Sequence, residues 1–352
     1  MKTIIVTGGA GFIGSNFIRT IVPYLYGVTI INFDSLTYAG NLENLAEIDE
    51  AENYKFHYGD VTQSDIVARA MDLYQPEGVI NFAAESHVDR SILGSSPFVN
   101  TNVVGTGILL EECRRYIERT GCNDFRFIQI GTDEVYGSLP APADPDYTPG
   151  TYFTEKWSLS PNSPYAASKA GADLLVQAYI RTYDFPAIIT RSSNNYGMYQ
   201  FPEKLIPLMI TKALNDEKLP VYGDGKNVRD WIHVIDNVEA IWEVYKHGKL
   251  GEIYNIGGNA ERENLEIVTK ILQLLGKPKT LIEFVSDRLG HDRRYALSSN
   301  KIDRELGWSP RISFEEGLIG TVDWYLSNKD WWDHLLDGSY KALNALYLER
   351  NS

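Results

Sequence analysis

The sequence predicts a doubly wound α/β fold, built on a parallel sheet and joined to a second, smaller mixed α/β lobe. Three observations carry this reading. Apolar runs at Thr3 to Thr7, Thr29 to Phe33, Tyr54 to Tyr58, Gly78 to Asn81 and Phe125 to Ile130 alternate with helical patterns, as parallel strands joined by crossover helices do. Gly8, Gly11 and Gly14 follow the first run and open an amphipathic segment. The chain has 352 residues, 43% of them hydrophobic, which exceeds what a single core of about 250 to 300 residues holds.

The elements follow in order. MKTIIVTGG begins with one lysine and an apolar run that breaks at Gly8, too short for a signal-peptide core, and reads as the first strand. Ser64 to Leu73 carries helical apolar spacing behind Ser64, a residue suited to an N-cap. The segment Pro97 to Arg119 places Val99, Val103, Ile108, Leu109 and Cys113 along a helix, so both segments are expected to cover the sheet. Further apolar runs at Ala187 to Thr190 and Ile253 to Ile256 imply that the sheet recruits strands from the later half. The expected domains are therefore discontinuous: residues 1–190 with 230–260 bind a dinucleotide, and 191–229 with 261–352 form the substrate lobe. Trp324, Trp331 and Trp332 near the end of the chain are expected in helices packed on the body.

Composition excludes several classes. A net charge of −14 argues against nonspecific nucleic-acid binding, so any anionic ligand must be met by local cations. Cys113 and Cys122 form neither a CxxC motif nor a paired framework, which fits a reducing, cytoplasmic setting. No stretch approaches the roughly 20 apolar residues of a membrane span. The six histidines are scattered without ligand spacing, so no metal site is expected.

In TGGAGFIG the glycines Gly8, Gly11 and Gly14 sit between a strand and a helix, where a phosphate-binding turn belongs. Missing Cβ atoms let the backbone approach a pyrophosphate, and the helix N-terminus offers free N–H groups and a favourable dipole. Asp34 lies twenty residues after Gly14, at the end of the second strand. Its carboxylate suits a ribose diol and repels a 2′-phosphate, which favours NAD over NADP. Asp60 and Val61 after the third strand, and the small residues Ala83 and Ala84 after the fourth, fit further cofactor contacts, with Ser86 and His87 continuing that edge toward the substrate.

Tyr165 and Lys169 are four residues apart and share one helix face. An ammonium beside a phenol lowers its pKa from about 10 toward neutrality, so the phenolate can take a proton from a sugar hydroxyl. The run FRFIQIGTDEVY reads as a buried strand ending in Thr132, Asp133 and Glu134. Ligands of open α/β sheets bind beyond the carboxyl ends of the strands, and two adjacent acids there suit the acid and base of an elimination.

TGGAGFIG, the Tyr165–Lys169 pair and GTDEVYG together resemble the dTDP-glucose 4,6-dehydratases of the extended short-chain dehydrogenase/reductase superfamily, whose fold is of the Rossmann type. DSLTYAGN, AAESHVDRSI, RSSNNYG, YQFPEKLIPL, GDGKNVRDWIHV, YNIGG and GHDRRYA extend the resemblance through most of the chain. It departs at Met198 and Leu289, where the pattern leads one to expect proline. The resemblance implies NAD as cofactor, dTDP-glucose as substrate and a homodimer. It implies that Tyr165 removes the 4-hydroxyl proton, with Lys169 tuning the phenol and Thr132 beside it, that Glu134 abstracts the C5 proton and that Asp133 donates to the departing 6-hydroxyl. It adds Phe12, Ile13, Leu36, Thr37 and Thr101 to the cofactor site. For the nucleotide sugar it implies the cations Lys204, Arg229, Arg288 and Arg294, and His291. Asn194 or Asn195, Leu205, Tyr222 and Asn264 are sugar, phosphate or base contacts by the same resemblance.

Overall fold

The computed structural model describes residues 2–342 and 344–345. Its strands are β1 (Lys2–Thr7), β2 (Val28–Asp34), β3 (Tyr54–Tyr58), β4 (Gly78–Asn81), β5 (Arg126–Thr132), β6 (Ala187–Ser192), β7 (Asn194–Tyr196), β8 (Leu219–Tyr222), β9 (Val228–His233), β10 (Ile253–Ile256), β11 (Glu261–Glu263) and β12 (Ile282–Val285). Seven form an all-parallel sheet in the order β10-β6-β5-β4-β1-β2-β3. The chain winds outward from β1 to β3, then crosses back to β4 and continues the other way. The crevice between β1 and β4 is thus the switch point where such sheets bind ligands.

The inner strands are apolar on consecutive residues because both faces are covered, whereas the edge strand β3 (YKFHY) is partly exposed. Ile4 and Val6 pack with the helices Phe12–Ile21 and Val234–His247, while Ile5 points to the opposite face with Val67, Leu109, Cys113 and Val176. A third cluster, with Ile206, Met209, Ile210, Ile267, Ile271, Leu318 and Trp332, forms the core beneath a mixed three-stranded sheet (β11-β9-β7) and a parallel pair (β12-β8).

Two local expectations are corrected. Ser64 does not cap its helix: Gln63 occupies the N-cap, and the Ser64 hydroxyl instead donates to Glu112 Oε1 at 2.8 Å. The segment from Pro97 is not one α-helix. A short turn at Ser96–Phe98 runs into a π-helical stretch, Val99–Gly105, before the α-helix Thr106–Thr120. The widened turn coincides with a side-chain clamp. Asn102 Oδ1 accepts from the Glu85 amide at 2.9 Å, while its Nδ2 donates to the Glu85 carbonyl at 3.0 Å and Ser168 Oγ at 2.8 Å. Trp331 and Trp332 are buried in the helix Lys329–Asp337, and the indole of Trp331 donates to Asn44 Oδ1 at 2.9 Å.

Candidate active site

The first cleft lies along the carboxyl ends of β1 to β5, where Gly8, Gly11, Phe12, Ile13, Gly14, Asp34, Thr37, Asp60, Val61, Ala83, Ala84 and Thr101 all line it. The glycines serve different needs. Gly8 has φ +67°, and a Cβ there would meet the Ala83 amide at 2.6 Å; a Cβ on Gly14 would lie 2.3 Å from the Gly8 carbonyl. Gly11, at the helix N-cap, has only that carbonyl nearby at 3.4 Å, so its missing side chain leaves room on the cleft side. Asp34 is organised by its own loop: Oδ2 accepts from the Ala10 amide at 2.9 Å and Oδ1 from Leu36 at 2.8 Å. Leu36 thus acts through its backbone amide, which orients Asp34, while its neighbours Ser35 and Thr37 line the cleft.

Tyr165 and Lys169 line the same cleft from the helix Pro164–Tyr183, which Ser163 caps by accepting from the Ala166 amide at 3.1 Å. The Lys169 ammonium donates to the Ile130 carbonyl at 2.6 Å, and burial pulls its pKa down to about 8 against the pull of Asp173. The expected lowering of the Tyr165 phenol does not hold in the protein alone. Burial pushes it up, with the charges of Glu134 and Asp133 adding to the rise and a Thr132 hydrogen bond opposing it. Desolvation outweighs the opposing hydrogen bond. Thr132 lies within hydrogen-bond reach of the Tyr165 phenol, and Asp133 and Glu134 are near enough for their charges to act on it.

β5 ends at Thr132, and Asp133–Tyr136 turns as a 3₁₀ helix. The Thr132 hydroxyl accepts from the Glu134 amide at 3.3 Å and lies 3.3 Å from Asp133 Oδ1. Burial raises the Asp133 carboxyl well above its usual range, with Glu134 and Asp230 adding to the rise, so Asp133 is held toward its protonated form. Glu134 is also raised by burial, but Arg288, Lys204 and Arg229 oppose the rise. Both carboxyls are shifted toward the protonated form, but the three cations act on Glu134, which leaves it the more readily ionised of the two and Asp133 the better acid.

Glu134 opens into a second cleft with His87, Asn194, Lys204, Leu205, Tyr222, Arg229, Asn264, Arg288 and His291. Ser86 lies in the first cleft, and Glu203 and Lys204 line both. Among the described residues, Asn194 Oδ1, Asn264 Oδ1, Arg288 Nε and Asp133 Oδ2 are buried without a hydrogen-bond partner. Buried polar atoms normally have partners, and Asn194, Asn264 and Arg288 line this cleft, so it is equipped to bind a polar ligand.

Two residues are placed elsewhere. Arg294 is 2% exposed and directs its guanidinium to Glu261 at 2.5 and 3.0 Å and to the Thr151 carbonyl at 3.1 Å. The β9 neighbourhood holds it as a structural cation. Asn195 donates to the Ser193 carbonyl at 2.9 Å and faces away from the cleft, so Asn194 is the asparagine that lines it. Sequence reasoning missed Glu203, which accepts from the Tyr38 hydroxyl at 3.0 Å and pairs with Arg90 at 3.1 Å. It also missed Tyr295, whose hydroxyl donates to Asp292 at 2.5 Å beneath Arg229. Both lie in segments that carry the resemblance, YQFPEKLIPL and GHDRRYA, but no spacing within them singles out either residue.

A parallel dinucleotide-binding sheet with a Tyr-x-x-x-Lys helix against its switch point defines a short-chain dehydrogenase/reductase. Within that class, the chain belongs to the family described as GDP-mannose 4,6 dehydratase, which matches residues 5–321. It is 50% identical over 354 residues to a dTDP-glucose 4,6-dehydratase of Escherichia coli, covering 96% of this chain and 97% of that one. Among solved structures it resembles dTDP-glucose 4,6-dehydratase from Bacillus anthracis str. Ames in complex with NAD, at 48% identity and TM-score 0.85, covering 95% of this chain and 100% of that one. It also resembles DesIV, a dTDP-glucose 4,6-dehydratase from Streptomyces venezuelae with NAD and TYD bound, at 46% identity and TM-score 0.87, covering 95% and 99%.

Proposed function

We propose that the protein is an NAD-dependent dTDP-glucose 4,6-dehydratase, converting dTDP-glucose to dTDP-4-keto-6-deoxyglucose and water. The observation that carries this reading is the run Thr132–Asp133–Glu134 at the carboxyl end of β5, with Thr132 in hydrogen-bond reach of Tyr165 and Glu134 in a cleft rich in cations. The cofactor cleft suits NAD by its glycine turn and by Asp34, whose carboxylate disfavours a 2′-phosphate.

Bound NAD supplies a hydride acceptor and later a hydride donor. Tyr165, assisted by Thr132, takes the proton of the C4 hydroxyl once its phenol is ionised; burial opposes that in the protein alone, and the positive charge of the oxidised cofactor with the Lys169 ammonium would favour it. The C4 ketone acidifies the C5 proton, which Glu134 removes. Asp133, kept protonated by burial, donates to the C6 hydroxyl as it leaves as water. Glu134 then returns a proton to C5 as hydride reaches C6. Arg229, Arg288 and Lys204 offset the negative charge of the diphosphate, a role that suits fixed guanidinium groups.

The division into a cofactor domain (1–190 and 230–260) and a substrate lobe (191–229 and 261–352) belongs to this reading. So does a homodimer packed through the helices around Pro97–Arg119 and Ser163–Tyr183, supported by the exposure of Val99, Val104, Leu174 and Tyr183. A monomer on sizing chromatography would remove it. The product class feeds 6-deoxyhexoses such as rhamnose, and two free cysteines fit a cytoplasmic enzyme. Among the described residues, no helix is long and apolar enough to cross a membrane.

The test is product mass after incubation in heavy water with NAD and dTDP-glucose, beside UDP-glucose. Loss of one water with one deuterium gained at C5 is expected. An unchanged mass with a C4-inverted sugar would make the protein an epimerase.

A further inference from the structure

The helix Lys329–Asp337 lies far in sequence from the glycine turn, yet Trp331 and Leu335 stand in the wall of the cofactor cleft. The wall beside them is the loop after Asp34, from which Thr37, Ala39, Gly40, Asn41 and Asn44 face the same space. The two segments are bonded at several points. Trp331 Nε1 donates to Asn44 Oδ1 at 2.9 Å, and His334 meets Glu43 Oε1 at 3.1 Å. The Tyr340 hydroxyl donates to the Tyr38 carbonyl at 2.5 Å. Asn344 bridges the loop twice, donating to the Gly40 carbonyl at 2.9 Å and accepting from the Leu42 amide at 3.1 Å.

We propose that the helix Lys329–Asp337, with Tyr340 and Asn344 beyond it, is a cofactor-retaining strap, with Trp331 and Leu335 as cleft-wall residues and Tyr340 and Asn344 as tethers of the loop after Asp34. The loop between Asp34 and Asn44 has little regular structure of its own: only a 3₁₀ turn, Leu42–Leu45, follows it. Its backbone carbonyls at Tyr38 and Gly40 are satisfied by side chains of the strap. Opening the cleft on this side therefore requires breaking these bonds and exposing Trp331 and Leu335, which are 9% and 6% exposed. The strap also reaches the opposite wall. Tyr340 packs edge-on against Phe201 and Trp331 against Tyr199, both of which line the cleft.

This rests on the proposed reaction, in which the same cofactor accepts and returns the hydride. Escape between the two transfers would strand an oxidised sugar, so slow release has a direct use. A strap that couples two walls slows dissociation without contributing to the chemistry.

The test compares wild type with Asn344→Ala and Tyr340→Phe. Each is purified and assayed for NAD per chain after acid extraction, and for the rate at which bound NAD exchanges with labelled NAD. Exchange is expected to rise roughly tenfold in Asn344→Ala, the factor carried by one or two neutral hydrogen bonds, and less in Tyr340→Phe. Free reduced cofactor should accumulate during turnover. Wild type that retains NAD, with folded variants that exchange it no faster, would overturn the strap while leaving the cofactor assignment intact. A wild-type chain that binds no NAD would overturn the underlying reading. If Asn344→Ala fails to fold, Tyr340→Phe, which removes one hydroxyl, carries the same comparison.

Discussion

The Lys169 ammonium donates at 2.6 Å to the carbonyl of Ile130, two residues before Thr132. The helix that presents Tyr165 is thereby pinned to the strand that presents the acids. This buried bond joins the packing of Ala170 against Val135 and Tyr136 in fixing the spacing between the oxidation and elimination groups. Lys169 has this contact in addition to its electrostatic effect.

Its replacement tests both roles. Lys169→Met is expected to lower turnover by about 10² to 10³-fold, read in the first oxidation step by rapid mixing. Burial lowers the folded pKa to about 8, below the ordinary lysine value, so the unfolded chain binds more protons above that pH. Wild-type stability should therefore rise with pH from about 8 toward about 10.5 relative to the variant, measured by thermal unfolding.

Asp133 carries the opposite sign. A carboxyl whose folded pKa is raised contributes stability below its ordinary pKa, and that contribution is lost as pH rises through the folded value. Asp133→Asn is neutral at every pH. Its melting temperature should gain on wild type as pH rises above the ordinary carboxyl range of about 4. Elimination should slow by about 10²-fold, because the proton for the departing hydroxyl is gone.

Glu134→Gln should separate the steps. Oxidation at C4 needs no carboxylate at this position, so reduced cofactor should appear and persist while solvent deuterium fails to enter C5. The loss in overall turnover is expected at about 10² to 10⁴-fold. Equal loss of both steps would assign Glu134 to binding instead.

The glycine turn offers a contrast between fold and ligand. Gly14→Ala drives a Cβ to 2.3 Å from the Gly8 carbonyl and should destabilise the apoprotein. Gly11→Ala meets only an ordinary contact at 3.4 Å, so it should fold normally and lose NAD affinity. Thermal unfolding with and without NAD separates the two.

Arg191 and Asp173 form a pair at 2.8 Å with 1% and 0% exposure, and the guanidinium also donates to the Tyr136 hydroxyl at 2.8 Å. Asp173→Ala should cost about 3 to 5 kcal/mol by leaving a buried charge uncompensated. Adding Arg191→Met should recover a large part of it, measured by urea unfolding.

The parallel sheet, the glycine turn, Asp34, the Tyr165–Lys169 face and the acids after β5 were legible in the chain. Each rests on local order: apolar runs mark buried strands, and short fixed spacings put Gly8, Gly11 and Gly14 in one turn or Tyr165 and Lys169 on one helix face. Contacts between distant segments have no such signature. Arg294 and Arg288 look alike in sequence, but Glu261 on β11 captures the first and leaves the second in the cleft. Asn194 and Asn195 are neighbours on β7, and strand alternation sends them to opposite sides. The direction of the Tyr165 shift, the position of Glu203 between two clefts and the approach of Trp331 to Asn44 likewise arise only on folding. They depend on desolvation and on pairings across 287 residues in the last case, which no local spacing encodes.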